Sequence, residues 1–411
     1  MAKLQPVRGT RDIWGDDVKR FSYVVDRFRS VAERFCFQEI QTPIFEFTDV
    51  FKRTLGEASD VVSKEMYTFE DRGGEQLTLR PEYTAGIARA YQSEGMQQFG
   101  TVKLFGYGPM FRYERPQKGR YRQFHQIDVE ILGAPEPSAD VEIIALAHRL
   151  LCDLGVMNDV TLHLNSLGDV ESRQAYRAAL VDYFTQHADQ LSDDSKDRLE
   201  KNPLRILDSK NEGDRALLPD APKLGDYLNE TSKSFFENVK AGLDALGIPY
   251  VLDQNLVRGL DYYSHTAFEF ITETLGAQGT VIGGGRYDGL IEMMGGNPTP
   301  GIGFAGGIER LAMMVDNMPE AARPVVLIPM GDDAEAKAMA IADDLRAHGL
   351  VVDMGYRGNL KKRLKRANQQ NASFAMILGE DELARGVVTL RNLDDGEQKD
   401  VAFADLLSAL T

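Results

Sequence analysis

With 411 residues, 63 acidic against 47 basic side chains and a formal net charge of −16, the chain is long enough for about two or three domains and has no general affinity for polyanions. A content of 43% hydrophobic and 27% charged residues excludes disorder, no apolar run approaches the ~20 residues of a membrane span, and the start MAKLQPVRGTRDIWGDD lacks an apolar signal core. Cys36 and Cys152 make no metal-ligand spacing and the six histidines include no HExxH pair, so a zinc hydrolase is excluded and a cytoplasmic location is expected.

In DDVKRFSYVVDRFRSVAERF (16–35), Val18, Phe21, Val25, Phe28, Val31, Ala32 and Phe35 recur in steps of three and four. That spacing predicts an amphipathic helix opening at Asp16 or Asp17. The stretch EIQTPIFEFTDVF (39–51) is apolar and interrupted by proline. Further on, KLFGYGPMFRYE predicts a strand, RPQKGRYR its loop and QFHQIDVEILG the return strand of a hairpin. The hairpin concentrates cations: Arg112, Arg115, Lys118, Arg120 and Arg122. A charge run is usually a solvated face. The return strand argues for something else, because Ile127, Val129 and Ile131 alternate with Gln126, Asp128 and Glu130, placing three polar side chains on one face. Arg112 and Glu114 share a face of the preceding strand in the same way. Two adjacent strands with charge on one face predict a sheet that lines a pocket.

Residues from about 171 to 250 are charged and helical in pattern, and predict an inserted helical segment. Strand patterns return in HTAFEFIT and GTVIGGGRYDGLIEMMGG, then in TPGIGFAGGIERLAMM. GIGFAG (301–306) matches G-x-G-x-x-G, but the preceding GGNPTP cannot be a parallel core strand, which excludes a dinucleotide site of the Rossmann kind. The expectation is a strand–turn–helix whose small residues admit a planar base, with Arg310 facing phosphate. No GxxxxGK[ST] occurs. What remains is a nucleotide site made of arginines on an antiparallel sheet, with Arg112, Arg120 and Arg310 bracketing a triphosphate through forked, permanently charged donors. A boundary is expected near DNMPEAARP (316–324). Beyond it, VVLIPM, LVVDMG and FAMILG alternate with helical stretches and predict a small, largely parallel α/β domain with helices on both faces. That domain holds a second basic cluster, Lys361, Lys362, Arg363, Lys365 and Arg366.

FRYERPQKGRYRQFHQ (111–126) resembles the second signature of the class II aminoacyl-tRNA synthetases, GIGFAGGIERL the third, and EIQTPIFEFTDVF the first. LVRGLDYY (256–263) and GGGRYDGL (283–290) resemble two signatures peculiar to the histidyl-tRNA synthetase family, and GEASDVVSKEMYTF (56–69) and TLRPEYTAG (78–86) are similar to the same family. The resemblance covers essentially the whole chain. Departures are few: the family usually has a proline near Trp14 and often an alanine where Gly283 stands. The resemblance implies an α+β fold, with a class II antiparallel-sheet catalytic core flanked by helices in residues 1–322, the helical insertion included. A small α/β anticodon-binding domain would fill residues 323–411. It further implies ATP-dependent ligation of L-histidine to tRNA(His) through histidyl-adenylate, with Mg2+ bridging the outer phosphates and no protein metal site. A homodimer joined through the first signature is expected, with no membrane or DNA partner.

Residue by residue, the resemblance implies that Arg112 contacts the α-phosphate, Glu114 helps orient the adenine, and Arg120 and Arg310 hold the outer phosphates. Glu82, Thr84 and Gln126 bind the amino group of histidine, and Glu130 and Tyr263 read its imidazole. Tyr83, Tyr121 and Tyr262 complete the histidine site. Arg258 bridges the histidine carboxylate and the α-phosphate, acting with Arg112 as the catalytic pair, while Arg115, Gln117 and Lys118 meet the tRNA acceptor end. Neutral imidazole offers one donor and one acceptor, which an acid and a tyrosine hydroxyl can satisfy. Such a polar pocket discriminates by about 10⁴–10⁵ against apolar amino acids, so no editing domain is required. The alternatives are a non-catalytic regulatory subunit of ATP phosphoribosyltransferase, which typically lacks the C-terminal domain, and a ligase that activates a small acid without RNA.

Overall fold

The computed structural model describes residues 3–56, 59, 61–117, 119–207, 209–256, 262–276 and 279–410. Helix α1 (Asp16–Arg34) forms where the apolar spacing predicts it, burying Val24, Val25, Phe28, Val31 and Ala32. Val18 stays exposed on its first turn. Asp16 and Asp17 stand at the N-terminal end, where the helix dipole favours negative charge. After strand β1 (Gln38–Glu39) come β2 (Phe45–Phe47), helix α2 (Thr48–Leu55), β3 (Tyr67–Glu70) and β4 (Gln76–Leu79). Strands β2, β4 and β3 form a small sheet, one side of which is tied together by the hydroxyls of Thr48, Thr78 and Thr68. The other side leaves Phe45, Phe47 and Phe69 exposed by 53%, 57% and 43%.

Helix α3 (Thr84–Ser93) leads into the long hairpin of β5 (Val102–Phe111) and β6 (Gln123–Leu132), followed by α4 (Pro137–Asp153) and β7 (Thr161–Ser166). Helices α5 (Val170–Gln186), α6 (Asp193–Lys201), α7 (Glu212–Leu217) and α8 (Glu230–Ala245) occupy the stretch read as an insertion. Then come β8 (Val251–Leu252), β9 (Ser264–Ile271), β10 (Thr280–Arg286), α9 (Leu290–Met293), β11 (Gly301–Gly307) and α10 (Ile308–Met314). Among the described residues, an eight-stranded sheet runs β1-β5-β6-β11-β10-β9-β7-β8. Its inner pairs are antiparallel, and only the outer pairs β1/β5 and β7/β8 are parallel. One face of it packs Phe105, Ile127, Val129, Ile131, Phe268 and Phe304 against Phe28 of α1 and Ile144 of α4. Alternation then sends Gln126, Asp128 and Glu130 to the opposite face.

Two local expectations are corrected. Strand β5 ends at Phe111, so Arg112 and Glu114 follow the strand instead of lying on it. The chain turns aside there because Tyr113 N donates to Glu65 O (2.7 Å), not to β6. The hairpin closes where Gln117 and Arg120 pair with each other. The glycine-rich GIGFAGG is not a turn but strand β11, which runs straight into α10.

The chain divides into two compact units, Met1–Met318 and Pro319–Thr411. The second contains β12 (Val325–Pro329), α11 (Asp332–Ala347), β13 (Val352–Met354), α12 (Leu360–Gln369), β14 (Phe374–Leu378), α13 (Glu380–Arg385), β15 (Val387–Asn392), β16 (Gln398–Ala402) and α14 (Leu406–Leu410). Its sheet order is β13-β12-β14-β15-β16, parallel across the first three strands and antiparallel across the rest. Helix α11 packs Ala338, Ile341 and Leu345 with Leu327 and Met376, whereas Ala367 of α12 meets Val326, Ile328 and Ala375. Neighbouring strand residues therefore enter different cores, which puts helices on both faces. The sheet is mixed because Val387–Asn392 and Gln398–Ala402 add a hairpin that the three apolar runs did not announce.

Candidate active site

A cavity of about 310 Å³ opens over the polar side of β6, β10 and β11. Cations gather at one end. Arg310 donates Nη1 to the Thr280 carbonyl (2.7 Å) and Nε to the Gly119 carbonyl (3.4 Å), which fixes the plane of its guanidinium. Burial, and then the charges of Arg120 and Arg112, push Arg310 below the ordinary arginine range, with Glu114 opposing them. Arg120 is ion-paired with Glu114. Arg112 donates Nε to the Pro81 carbonyl (2.9 Å), and its guanidinium lies 5.4 Å from the Phe124 ring centroid. Glu309, also on the wall, is engaged by His125, whose backbone N–H and Nδ1 lie 3.0 Å and 2.8 Å from its carboxylate. Half-buried Arg310 and Arg112 with the more exposed Arg120 put three guanidiniums around one end of the cavity, an arrangement suited to a multiply charged anion.

Acids capped by tyrosines form the other end. The Tyr262 hydroxyl donates to Glu82 Oε2 (3.1 Å), and the Tyr287 hydroxyl donates to Glu130 Oε2. Tyr262 lies 4.6 Å from Tyr263 and 5.7 Å from Tyr287, ring centroid to ring centroid. Burial pushes the Tyr262 and Tyr287 hydroxyls well above the usual tyrosine range, so both are neutral donors at pH 7. Burial also pushes Glu130 up to about 8, with hydrogen bonds from Thr84 and Tyr287 opposing it. Gln126 presents a buried Oε1 with no hydrogen-bond partner among the described residues. Buried acceptors of this kind are costly unless a ligand supplies the donor. Helix α5 braces this end, Arg173 donating Nη1 to the Tyr263 carbonyl at 2.6 Å.

Residues 9–311 match the family profile described as histidyl-tRNA synthetase, and residues 324–411 match that of an anticodon binding domain. The chain belongs to the histidyl-tRNA synthetase family. It is similar to a histidine–tRNA ligase of Rhodospirillum rubrum, 61% identical over 407 residues that cover 99% of this chain and 98% of the relative. One from Gluconobacter oxydans is 56% identical over 411 residues, covering 100% and 99%. The solved apo histidyl-tRNA synthetase of S. aureus superposes with a TM-score of 0.84 at 37% identity, covering 100% of both chains. The reaction of this family member is histidine–tRNA ligation: L-histidine is activated by ATP to histidyl-adenylate and passed to the 3′ end of tRNA(His), releasing AMP and diphosphate. A Bacillus halodurans chain described as an ATP phosphoribosyltransferase regulatory subunit/histidyl-tRNA synthetase shares the fold at 21% identity and a TM-score of 0.68, covering 92% of this chain and 99% of that one. Near-full-length identity to ligases favours the catalytic reading over the regulatory alternative.

The cavity brings together ten of the residues singled out in the sequence: Glu82, Thr84, Arg112, Glu114, Arg120, Tyr121, Gln126, Tyr262, Tyr263 and Arg310. Glu130 sits beneath the wall, fully buried and bonded to Tyr287. Tyr83 does not reach the cavity. It stands at the start of α3, where successive side chains diverge, and its hydroxyl donates to the Ile40 carbonyl (3.2 Å) while Arg80 covers its ring. Arg115 and Gln117 are exposed at the hairpin tip. Arg258 and Lys118 lie outside the described residues. Sequence reasoning missed Tyr287, Thr280, Gly303 and Glu309, all on the wall. Tyr287 was within reach, since it sits inside GGGRYDGL next to Arg286.

Proposed function

We propose that the two ends of this cavity divide the substrates, with the ATP phosphates at Arg112, Arg120 and Arg310 and the histidine among Glu82, Thr84, Tyr121, Gln126, Glu130, Tyr262 and Tyr263. The observation that carries this reading is the separation of charge, guanidiniums at one end and tyrosine-capped carboxylates at the other. Arg112 meets the α-phosphate, and Arg120 with Arg310 meets the outer phosphates. Glu114 orients the adenine against Ala305 and Gly307, at the end of β11 that leads to Arg310. Glu82, Thr84 and Gln126 take the ammonium group, and Glu130 with Tyr263 reads the imidazole.

A histidine carboxylate oxygen then attacks the α-phosphorus and diphosphate leaves. Arg258 is assigned the bridge between that carboxylate and the α-phosphate. The ribose 3′-hydroxyl of the tRNA next attacks the acyl carbon and AMP leaves. No side-chain nucleophile is needed, so the rate comes from positioning and from charge fixed in advance. Among the described residues no group of three or more His, Cys, Asp or Glu side chains is arranged to hold a metal. Mg2+ is assigned to the outer phosphates, where it would offset their charge.

Arg115, Gln117 and Lys118 on the hairpin tip are assigned to the tRNA acceptor end. We assign residues 1–322 to catalysis and 323–411 to the anticodon. Support for the second comes from a groove lined by Lys361 and Lys365 with Leu360, Leu364 and Arg391. Arg363 and Arg366 of the same cluster are engaged within the unit, by the Gly358 carbonyl (2.8 Å) and by Asp353 (3.6 Å). A homodimer is supported by the exposed Phe45, Phe47 and Phe69 on the small sheet, an apolar side that lacks cover in one chain. A cytoplasmic location is in keeping with two free cysteines, and no described helix is long and apolar enough to cross a membrane.

Histidine-dependent ATP–diphosphate exchange tests the division. Arg120→Gln should raise the KM for ATP about tenfold or more and leave the KM for histidine nearly unchanged, while Tyr262→Phe and Gln126→Ala should do the reverse. Equal shifts in both constants for all three variants would refute it.

A further inference from the structure

Asp128 is a buried acid that neither end of the cavity uses. It lies fully buried on β6, two residues before Glu130 on the same face, with Gly106 and Ala305 as its cross-strand neighbours. Both of its oxygens are closed off from solvent, and no donor meets either in good geometry among the described residues; the hydrogen-bonding group beside them is Glu130. The titratable groups facing it are Arg80, Glu82, Glu130, Tyr83 and Tyr287. Arg80 is the one cation of that set, and it directs Nε to the Pro109 carbonyl (2.9 Å) and Nη1 to Thr42 (2.9 Å and 3.2 Å). A carboxylate without donors in a dry site is strongly disfavoured, whereas a carboxylic acid brings its own donor. An acceptor stands on the same face. Glu130 Oε2 already takes the Tyr287 hydroxyl and Thr84 also favours the ionised carboxyl, but no donor meets the buried Oε1 in good geometry among the described residues.

We propose that Asp128 is a positioning residue that stays protonated and donates to Glu130 Oε1, so that the pair presents one ionisable acceptor to the imidazole of the bound histidine. This rests on the assignment of Glu130 to the imidazole made above. Three constraints then fix the Glu130 carboxyl: the Asp128 proton, the Tyr287 hydroxyl and the absence of a side chain at Gly303, where a Cβ would fall 1.6 Å from Oε2. Burial, with the Glu130 charge adding to it, pushes Asp128 well above the usual carboxylate range, in the direction the geometry requires. With Asp128 neutral, only Glu130 ionises as pH rises through about 8, and the KM for histidine should fall over that interval.

The test compares Asp128→Asn, which keeps a neutral donor, with Asp128→Ala, which removes it. Asparagine should retain the KM for histidine and its pH profile. Alanine should raise that KM roughly tenfold and move the profile to higher pH, with the KM for ATP and single-turnover kcat little changed. Infrared difference spectra of the whole protein at pH 7 should contain a carboxylic-acid carbonyl band that Asp128→Asn removes, a readout that does not depend on activity. A profile that Asp128→Asn moves to lower pH would mean that Asp128 is ionised. That result, a missing band, or equal KM values for the two variants overturns the proposal while leaving the Glu130 assignment in place. Glu130→Gln is the separate control: an unchanged KM for histidine there overturns the assignment and the proposal with it.

Discussion

Gly303→Ala is the smallest change that should separate histidine recognition from ATP binding. Its backbone is not in the left-handed region, so space alone decides the outcome. The added Cβ would lie 1.6 Å from Glu130 Oε2, 2.4 Å from Glu130 Cδ and 2.4 Å from the Val129 carbonyl oxygen. Contacts under 3.0 Å are essentially never made, so the Glu130 carboxylate must retreat by about 1.5 Å and, because the Val129 carbonyl is backbone, β11 must also shift against β6. Overpacking of this kind costs about 1–3 kcal/mol in stability. Moving a positioning group by about 1 Å costs on the order of 10²-fold in activity. In ATP–diphosphate exchange, kcat/KM for histidine should therefore fall about a hundredfold, while the KM for ATP stays within a factor of about three. Gly289→Ala has nothing within 4 Å of its new Cβ and should change neither constant. A Gly303→Ala protein with wild-type histidine kinetics and an unchanged melting temperature would refute the reasoning.

In the helical insertion, Asp214 accepts from Ser192 N (2.8 Å), Ser192 Oγ (2.7 Å), Ser195 Oγ (2.6 Å) and Ser209 Oγ (2.5 Å). Burial alone would raise its pKa, but these bonds win and hold it at about 2. A depressed carboxyl contributes stability that is present above the unfolded value of about 4 and lost as pH falls through about 2, here on the order of 2 kcal/mol. Asp214→Asn should thus destabilise the protein at pH 7 in urea titrations, with a gap that narrows between pH 5 and pH 3; a gap independent of pH would contradict this. A chain ending at Met318 should still form adenylate and lose efficient tRNA charging, and charging equal to that of the full chain would count against the assigned division of labour. Arg258→Ala should slow single-turnover adenylate formation by about 10²–10³, slow transfer from preformed histidyl-adenylate far less, and be only partly rescued by lysine. Equal slowing of both steps would remove its assigned role.

Alternation made the site legible where side-chain direction follows from strand period. Gln126, Asp128 and Glu130 could be assigned to one face of β6 from spacing alone, and that face does border the cavity. The same rule misled at Arg112 and Glu114, because the end of β5 is set by Tyr113 pairing with Glu65, a residue far away in the chain. GIGFAGG reads as a strand that gives way to a turn, because glycine weakens strands in general. Here the strand survives because Gly303 leaves room that Glu130 fills, a contact between strands distant in sequence. Tyr83 illustrates the opposite case: the resemblance implied a place in the histidine site, yet the turn into α3 sends its ring beneath Arg80. Long-range pairs of this sort leave no periodic trace.

The cavity is arranged against its own ease when empty. Arg310 is pushed below its ordinary range by burial and by Arg120, and Glu130 is pushed above its own by burial. Each end therefore disfavours its own charged form until an opposite charge arrives. On the proposed division, phosphate relieves the arginine end, and the ammonium and imidazole groups relieve the acidic end. Histidine has only one anionic group, its carboxylate, and on that division its counter-charges stand at the arginine end. It must then face the arginines, where the α-phosphate lies. The polarity that holds each substrate thus also aims the nucleophile at the phosphorus, and the donors that stabilise the transition state are already oriented by the Thr280, Gly119 and Pro81 carbonyls.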